Sequence, residues 1–211
     1  FPDGTGMLVV EEVVPGGPAA EHLEPGDVLH RLNGEQVTGF VALESVLDDA
    51  VDQAVSLEVY RGSEALEVEL TVGDLHAITP DEFFETSRGI LHDLSYHQAR
   101  NHSLPVHGVY IALPGFAMGN AALPSGAVIT AVDGAAVDDL DAFQGEWEAK
   151  SHGQRVRVRY YSVADPRREH ETVVTVDRVW FPTRRCAWDA ASGRWPCVDS
   201  PPPPEAEEQA S

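Results

Sequence analysis

The sequence predicts an α+β chain, mainly β, made of two copies of one small module. Three observations carry this. Residues 23–34 (LEPGDVLHRLNG) have a partner in residues 123–134 (LPSGAVITAVDG), one hundred positions on. A period that long marks a duplicated domain rather than a solenoid. Each copy closes with runs that alternate apolar and polar residues, 55–59 with 66–70 and 156–160 with 173–176. That alternation belongs to strands with one buried face. Asn33-Gly34 and Asp133-Gly134 are dipeptides suited to two-residue hairpin turns. With 211 residues, 43% hydrophobic, the chain has room for two domains of about 100 residues each.

In chain order, each copy repeats one grammar. A glycine opens an apolar strand, at Gly6 and again at Gly108. A Pro/Gly loop follows, Val14 to Pro18 and Leu113 to Gly115. Residues 18–21 read as a short helical turn with Pro18 early, where a missing N–H costs nothing. After the hairpin dipeptide comes a helix. Leu43, Val46, Leu47 and Ala50 form its apolar stripe in the first copy, and Leu140, Phe143 and Trp147 in the second. Asp138, Asp139 and Asp141 sit in that second helix's first turn and complement its dipole. Between the copies, Thr79-Pro80-Asp81-Glu82 fits a helix-opening capping box, and Ser95-Tyr96-His97-Gln98 fits another. Gly89, Ile90 and Leu91 read as a strand between them. The expected domains are 1–73, 74–182, a hairpin extension over 183–199, and a Pro-rich, acidic, extended linker over 200–211.

Composition narrows the partners. The net charge is −21, with Lys150 the single lysine. Such a field disfavours nucleic acid and anionic lipid. No apolar run is long enough to span a bilayer as a helix. The opening Phe1-Pro2-Asp3-Gly4 lacks the features of a signal peptide and reads as a cut from something longer. Cys186 and Cys197 bracket a hairpin around Ser192-Gly193, and a bridge across it is geometrically open to them. Nothing else points to an oxidising compartment, so two thiols are expected.

The order strand, Pro-Gly-x-Pro-Ala, Leu-x-x-Gly-Asp-Val-Leu, Asn-Gly, helix, two strands resembles a PDZ domain in the permuted form of the HtrA/Deg serine proteases. Residues 74–80 and 92–100, with 176–180, are similar to the long HtrA-like proteases of fungi and plants. The resemblance covers residues 4–198 and implies two tandem PDZ-like domains, each a small, partly open antiparallel barrel capped by helices. It implies recognition of C-terminal or unfolded peptide segments, added as a strand beside a sheet edge. It further implies a role in positioning substrate and regulating proteolysis, homo-oligomer formation through the parent protein, and a nuclear, cytosolic or plastid setting. The matching strand and carboxylate loop of the second copy are Gly89, Ile90, Leu91 and His92. In the first copy they should lie before Gly6, where only five residues stand. Ala127 replaces the counterpart of Asp27 and leaves the second turn's geometry open. A stand-alone scaffold, or a degenerate PDZ kept for assembly, are the alternatives.

Catalysis within the chain is not expected. The family's Gly-x-Ser-Gly-Gly nucleophile motif does not occur, and His92, Asp93 and Ser95 are neighbours in sequence rather than a spatial triad. His92, His97, His102 and His107 recur every five residues, a step of about 140° on a helix, so neighbours diverge. No metal or other cofactor is expected. Phe143 and Trp147 read either as core or as the groove floor that receives a ligand's last apolar side chain. The expected peptide-binding set is therefore Gly89, Ile90, Leu91, His92, Phe143 and Trp147.

Overall fold

The computed structural model describes residues 6–15, 17–74 and 78–204. It divides into two units, Phe1–Thr79 with Ala99–Val106, and Pro80–Gln98 with His107–Ser211. The class is α+β with two antiparallel sheets and no closed barrel.

The first unit contains β1 (Leu8–Val9), β2 (Val28–Leu32), β3 (Glu35–Gln36), α1 (Phe40–Asp49), β4 (Ala54–Arg61) and β5 (Glu64–Thr71). The sheet order is β1-β2-β4-β5, with β3 on β2. Asn33 and Gly34 both take positive φ, as the hairpin dipeptide requires. Along β4, Val55, Leu57 and Val59 turn inward onto Leu29, Leu32, Val37 and Val68. Leu43, Val46 and Leu47 of α1 pack on this cluster half-buried, and no residue of α1 is fully buried. Residues 18–21 form bonded turns, closed by Leu23 N–H to the Ala19 carbonyl, and not a helix.

Asp27 organises the turn before β2. Its side chain is almost wholly buried, accepts the Glu24 N–H at 2.9 Å, and takes two bonds from Arg61, Nε at 2.9 Å and Nη2 at 2.8 Å. These Arg61 bonds hold the Asp27 carboxyl below its ordinary range, against burial, which pushes it up. A depressed folded-state value stabilises in full above the unfolded value near pH 4 and is lost as pH falls through the folded one. Asp27→Asn is therefore expected to lower the unit's stability in urea at neutral pH, with the difference shrinking at about pH 3. Amide exchange of β4 reads this out; a difference undiminished by acid would overturn it. In the second unit Ala127 and Ser162 occupy the positions of Asp27 and Arg61. Both partners are absent together, so neither leaves an orphaned charge. The turn itself survives, with Gly126 at φ +84° beside +99° for Gly26.

The second unit's sheet takes β6 (Glu82–Thr86), β7 (Gly89–Asp93), β8 (Val109–Leu113), β9 (Ala127–Val132), β10 (Ala135–Ala136), β11 (Arg155–Ser162), β12 (Asp165–Thr175), β13 (Arg184–Ala187) and β14 (Cys197–Asp199). Its helices are α3 (Ala117–Asn120) and α4 (Leu140–Glu148). A further helix, α2 (Tyr96–Asn101), starts at the second capping box: Gln98 N–H donates to Ser95 Oγ and Ser95 N–H to Gln98 Oε1. The sheet runs β12-β11-β9-β8-β7-β6-β13-β14, with β10 on β9. Asp139 caps α4 through Ala142 N–H at 2.8 Å, and Asp93 accepts the Leu140 N–H at 2.6 Å. Leu140, Phe143 and Trp147 are buried in the core.

Two expectations are corrected here. Thr79 to Glu82 opens no helix; Glu82–Thr86 is a strand. Phe83 and Phe84 favour a pleated surface, and pairing on both sides outweighs a local capping signal. Cys186 and Cys197 are bridged, as directly opposed residues of β13 and β14. The acidic end of the expected linker, 205–211, lies outside the described residues. Its start is tied down: Ser200 N–H donates to the Thr183 carbonyl, and Arg178 reaches the Pro201 carbonyl.

Candidate functional site

The expected recognition strand is β7, and the structure places α4 over the same side of the sheet. On one flank β7 pairs with β8, Leu91 opposite Ile111 and His92 opposite Tyr110. On the other flank it pairs with β6, Phe84 opposite Leu91, Glu85 opposite Ile90 and Thr86 opposite Gly89. Neither edge of β7 is open. The expectation of a free edge at Ile90 is therefore corrected.

The six expected residues do come together, with β6 among them. Gly89 and Leu91 are buried, while Ile90 and His92 are half-buried. His92 Nδ1 lies 2.7 Å from the Asp93 carbonyl, and its ring lies against Tyr110. The Asp93 carboxyl, pushed up by burial against the Leu140 hydrogen bond, serves the start of α4. Ser95 caps α2, so the side chains of these three neighbours each meet backbone groups and do not form a triad. Phe143 and Trp147 are fully buried and stack at 5.5 Å between ring centroids.

Successive residues of β6 face opposite ways, as on any strand. Phe84 and Thr86 are buried toward α4; Phe83 and Glu85 are only half-buried. The Phe84 ring meets Phe143 edge-on at 5.9 Å, and Trp147 Nε1–H donates to Thr86 Oγ1 at 3.0 Å. Of the two readings of Trp147, the structure shows the core one: it is fully buried, with β6 packed beside it. Sequence reasoning missed Phe84 and Thr86. The legible signal was their alternation with Phe83 and Glu85, followed by a two-residue gap before another strand. Ser87-Arg88 fills that gap at φ +48° and +61°, a hairpin turn without the usual Asn-Gly or Asp-Gly.

The turn is backed by the loop before α3. Phe116 N–H donates to the Ser87 carbonyl and Ala117 N–H to Ser87 Oγ. Gly115, at φ +62°, comes so near that a Cβ there would sit 2.2 Å from the Gly89 nitrogen. Outside β6 lies β13, with Arg185 opposite Phe84 and Arg184 opposite Glu85. Arg185 Nε donates to Glu82 at 2.7 Å, and its Nη1 reaches both Asp141 and Gln144 on α4. Arg184 Nε donates to Glu85 at 2.8 Å.

The first unit differs. By the repeat, β1 corresponds to β8 and α1 to α4. Among the described residues no strand pairs with the outer edge of β1, and Met7, Val9, Phe40 and Val41 are exposed. The loop expected before Gly6 lies outside the described residues. Among those residues, no three His, Cys, Asp or Glu side chains converge as metal ligands would.

Comparison with known families matches this duplicated architecture. A model described as a PDZ domain matches residues 1–72, and one described as a PDZ-like domain matches residues 77–148. The chain belongs to the PDZ family. Its relatives carry the PDZ pair within longer proteins. Protease Do-like 7 of Arabidopsis thaliana is 44% identical over 193 residues, 90% of this chain and 18% of the relative. Pro-apoptotic serine protease nma111 of Neosartorya fischeri is 40% identical over 209 residues, 98% of this chain and 20% of the relative. The namesake from Aspergillus fumigatus gives the same identity and coverage, 40% over 209 residues. The PDZ pair thus spans about a fifth of the length of these relatives, and it is consistent with the PDZ pair of an HtrA-like protease.

Proposed function

We propose that this PDZ pair is the non-catalytic recognition part of an HtrA/Deg-type serine endopeptidase. It recognises or positions extended substrate segments and regulates their cleavage, while the nucleophile, base and oxyanion hole belong to another part of the parent protein. The observation that carries the reading is the identity of 40–44% to proteins named as proteases, running through both PDZ domains in order. Segment recognition follows from the general chemistry of the fold, in which a sheet edge offers unpaired N–H and C=O groups to an incoming backbone. The chain is expected to bind unfolded, carboxymethylated casein saturably and to leave it intact. Sustained cleavage sensitive to a serine reagent, or no saturable binding, would sink the proposal.

A second reading, that the second PDZ domain serves assembly of the parent protein and captures no peptide, is favoured by one observation: its groove already holds β6. Sedimentation equilibrium of the chain, with subunit association that survives saturating peptide, is what this reading expects.

A further inference from the structure

We infer that β6 is a tethered internal ligand of the second PDZ groove, which is closed to incoming peptides until β6 is withdrawn. The inference rests on the PDZ assignment and not on the protease association proposed above.

Four features of β6 are those of a bound peptide. It adds antiparallel to β7 through main-chain pairing. It directs alternate side chains, Phe84 and Thr86, into the space under α4 and the others away. Its last residue, Thr86, lies beside Gly89, the end of the strand where a ligand carboxylate would be held. There, the chain continues into Ser87 instead of ending. The turn that replaces the carboxylate is itself satisfied from outside, by the N–H groups of Phe116 and Ala117. The apolar contact and the polar contact of the groove are both used: Phe143 by Phe84, and the Trp147 indole N–H by Thr86.

Competition strongly favours β6. A two-residue tether keeps it at an effective concentration of millimolar or above, with little loop-closure cost. An external peptide of equal contacts at micromolar concentration therefore loses. Withdrawal must also break the outer ladder to β13 and the Arg184–Glu85 and Arg185–Glu82 pairs. Arg185 is bonded to β6 and α4 together, so it fastens the strand to the helix that walls the groove.

The test uses the full chain and a probe peptide with the sequence of β6, Glu-Phe-Phe-Glu-Thr, with a free or an amidated C-terminus. In the unmodified chain, amide exchange over β6 and β7 is expected to be as slow as over β11, and the probe is expected not to bind at β7. Phe84→Asp places a carboxylate against Phe143 and should expel β6. Its β6 amides should then exchange fast while β11 stays protected. The probe should bind at least ~10-fold tighter than to the unmodified chain, and tighter with a free carboxylate than an amide. Arg185→Ala, which removes the fastening without entering the core, should raise β6 exchange and probe affinity in the same direction. The inference is overturned if the unmodified chain takes the probe at β7, or if its β6 amides exchange as fast as those of the exposed turn residues Gly62 and Ser63. It is equally overturned if β6 is expelled and the probe still fails to bind. Should Phe84→Asp unfold the unit, Arg185→Ala and the exchange of the unmodified chain decide. Loss of casein binding with β6 protected would count against the proposed function and leave this inference intact.

Discussion

Trp147→Ala is expected to destabilise the second PDZ domain by about 3–5 kcal/mol, most of what a small domain has to lose. Trp147 is fully buried, stacks on Phe143, and donates its only N–H to Thr86. Truncation removes the indole from a site walled by α4 and β6 that can collapse only partly, so transfer and cavity costs add. Trp147→Phe separates the contributions. It keeps an aromatic body and withdraws the donor from Thr86, whose hydroxyl retains a neighbour in Thr183 Oγ1 at 3.4 Å. That change is expected to cost about 1–2 kcal/mol. The measurement is straightforward, because Trp147, Trp180, Trp188 and Trp195 are the chain's four tryptophans and all lie in the second unit. Fluorescence during urea unfolding therefore follows that domain alone. A cost below about 1 kcal/mol for Trp147→Ala would mean that α4 does not press on β6.

Gly115→Ala is the second large effect, and Gly193→Ala is its control. Both glycines sit at φ +62°. Placing an L side chain there costs about 1 kcal/mol in backbone conformation alone. At Gly193 that is nearly all, since the added Cβ meets only a Trp188 ring atom at 3.9 Å. At Gly115 it would lie 2.2 Å from Gly89 N and 2.5 Å from both Arg88 C and Ser87 O. Those are backbone atoms of the turn that joins β6 to β7, so no side chain can swing aside. Either the turn moves and weakens the β6–β7 pairing, or the loop before α3 withdraws its N–H groups from Ser87. We expect a loss of about 3 kcal/mol or more for Gly115→Ala and about 1 kcal/mol for Gly193→Ala. Equal losses in urea would refute the close approach.

Much of the architecture was legible without coordinates. The repeat announced two modules because turn and strand signals are local and recur at corresponding sites. Asn33-Gly34 and Asp133-Gly134 take the backbone angles their residue types favour. Ser95 and Gln98 cap the helix that their spacing predicts. The stripe Leu140, Phe143, Trp147 faces the core as its spacing indicated. Local rules also misled. Thr79 to Glu82 carries a sound capping pattern, yet Glu82–Thr86 is held as a strand by two ladders whose partners, β7 and β13, stand on opposite sides of it. One of those partners begins about a hundred residues later. Compartment arguments favour two thiols, whereas strand register sets Cys186 and Cys197 directly opposite each other and they are bridged.

Residue order alone established the duplicated module, its family, its mainly-β class, its strong negative charge and the residues around Gly89 and Trp147 where a peptide would be sought. These follow from short-range periodicity and from chemistry carried by single side chains. Whether that place is open is a different kind of fact. It depends on which backbone satisfies the outer N–H and C=O groups of β7, and any extended segment with Phe84 and Thr86 at alternate positions can compete for them. Three-dimensional packing awarded the edge to β6, because β13, Arg185 and the loop at Gly115 hold that strand from directions that no local window of sequence contains.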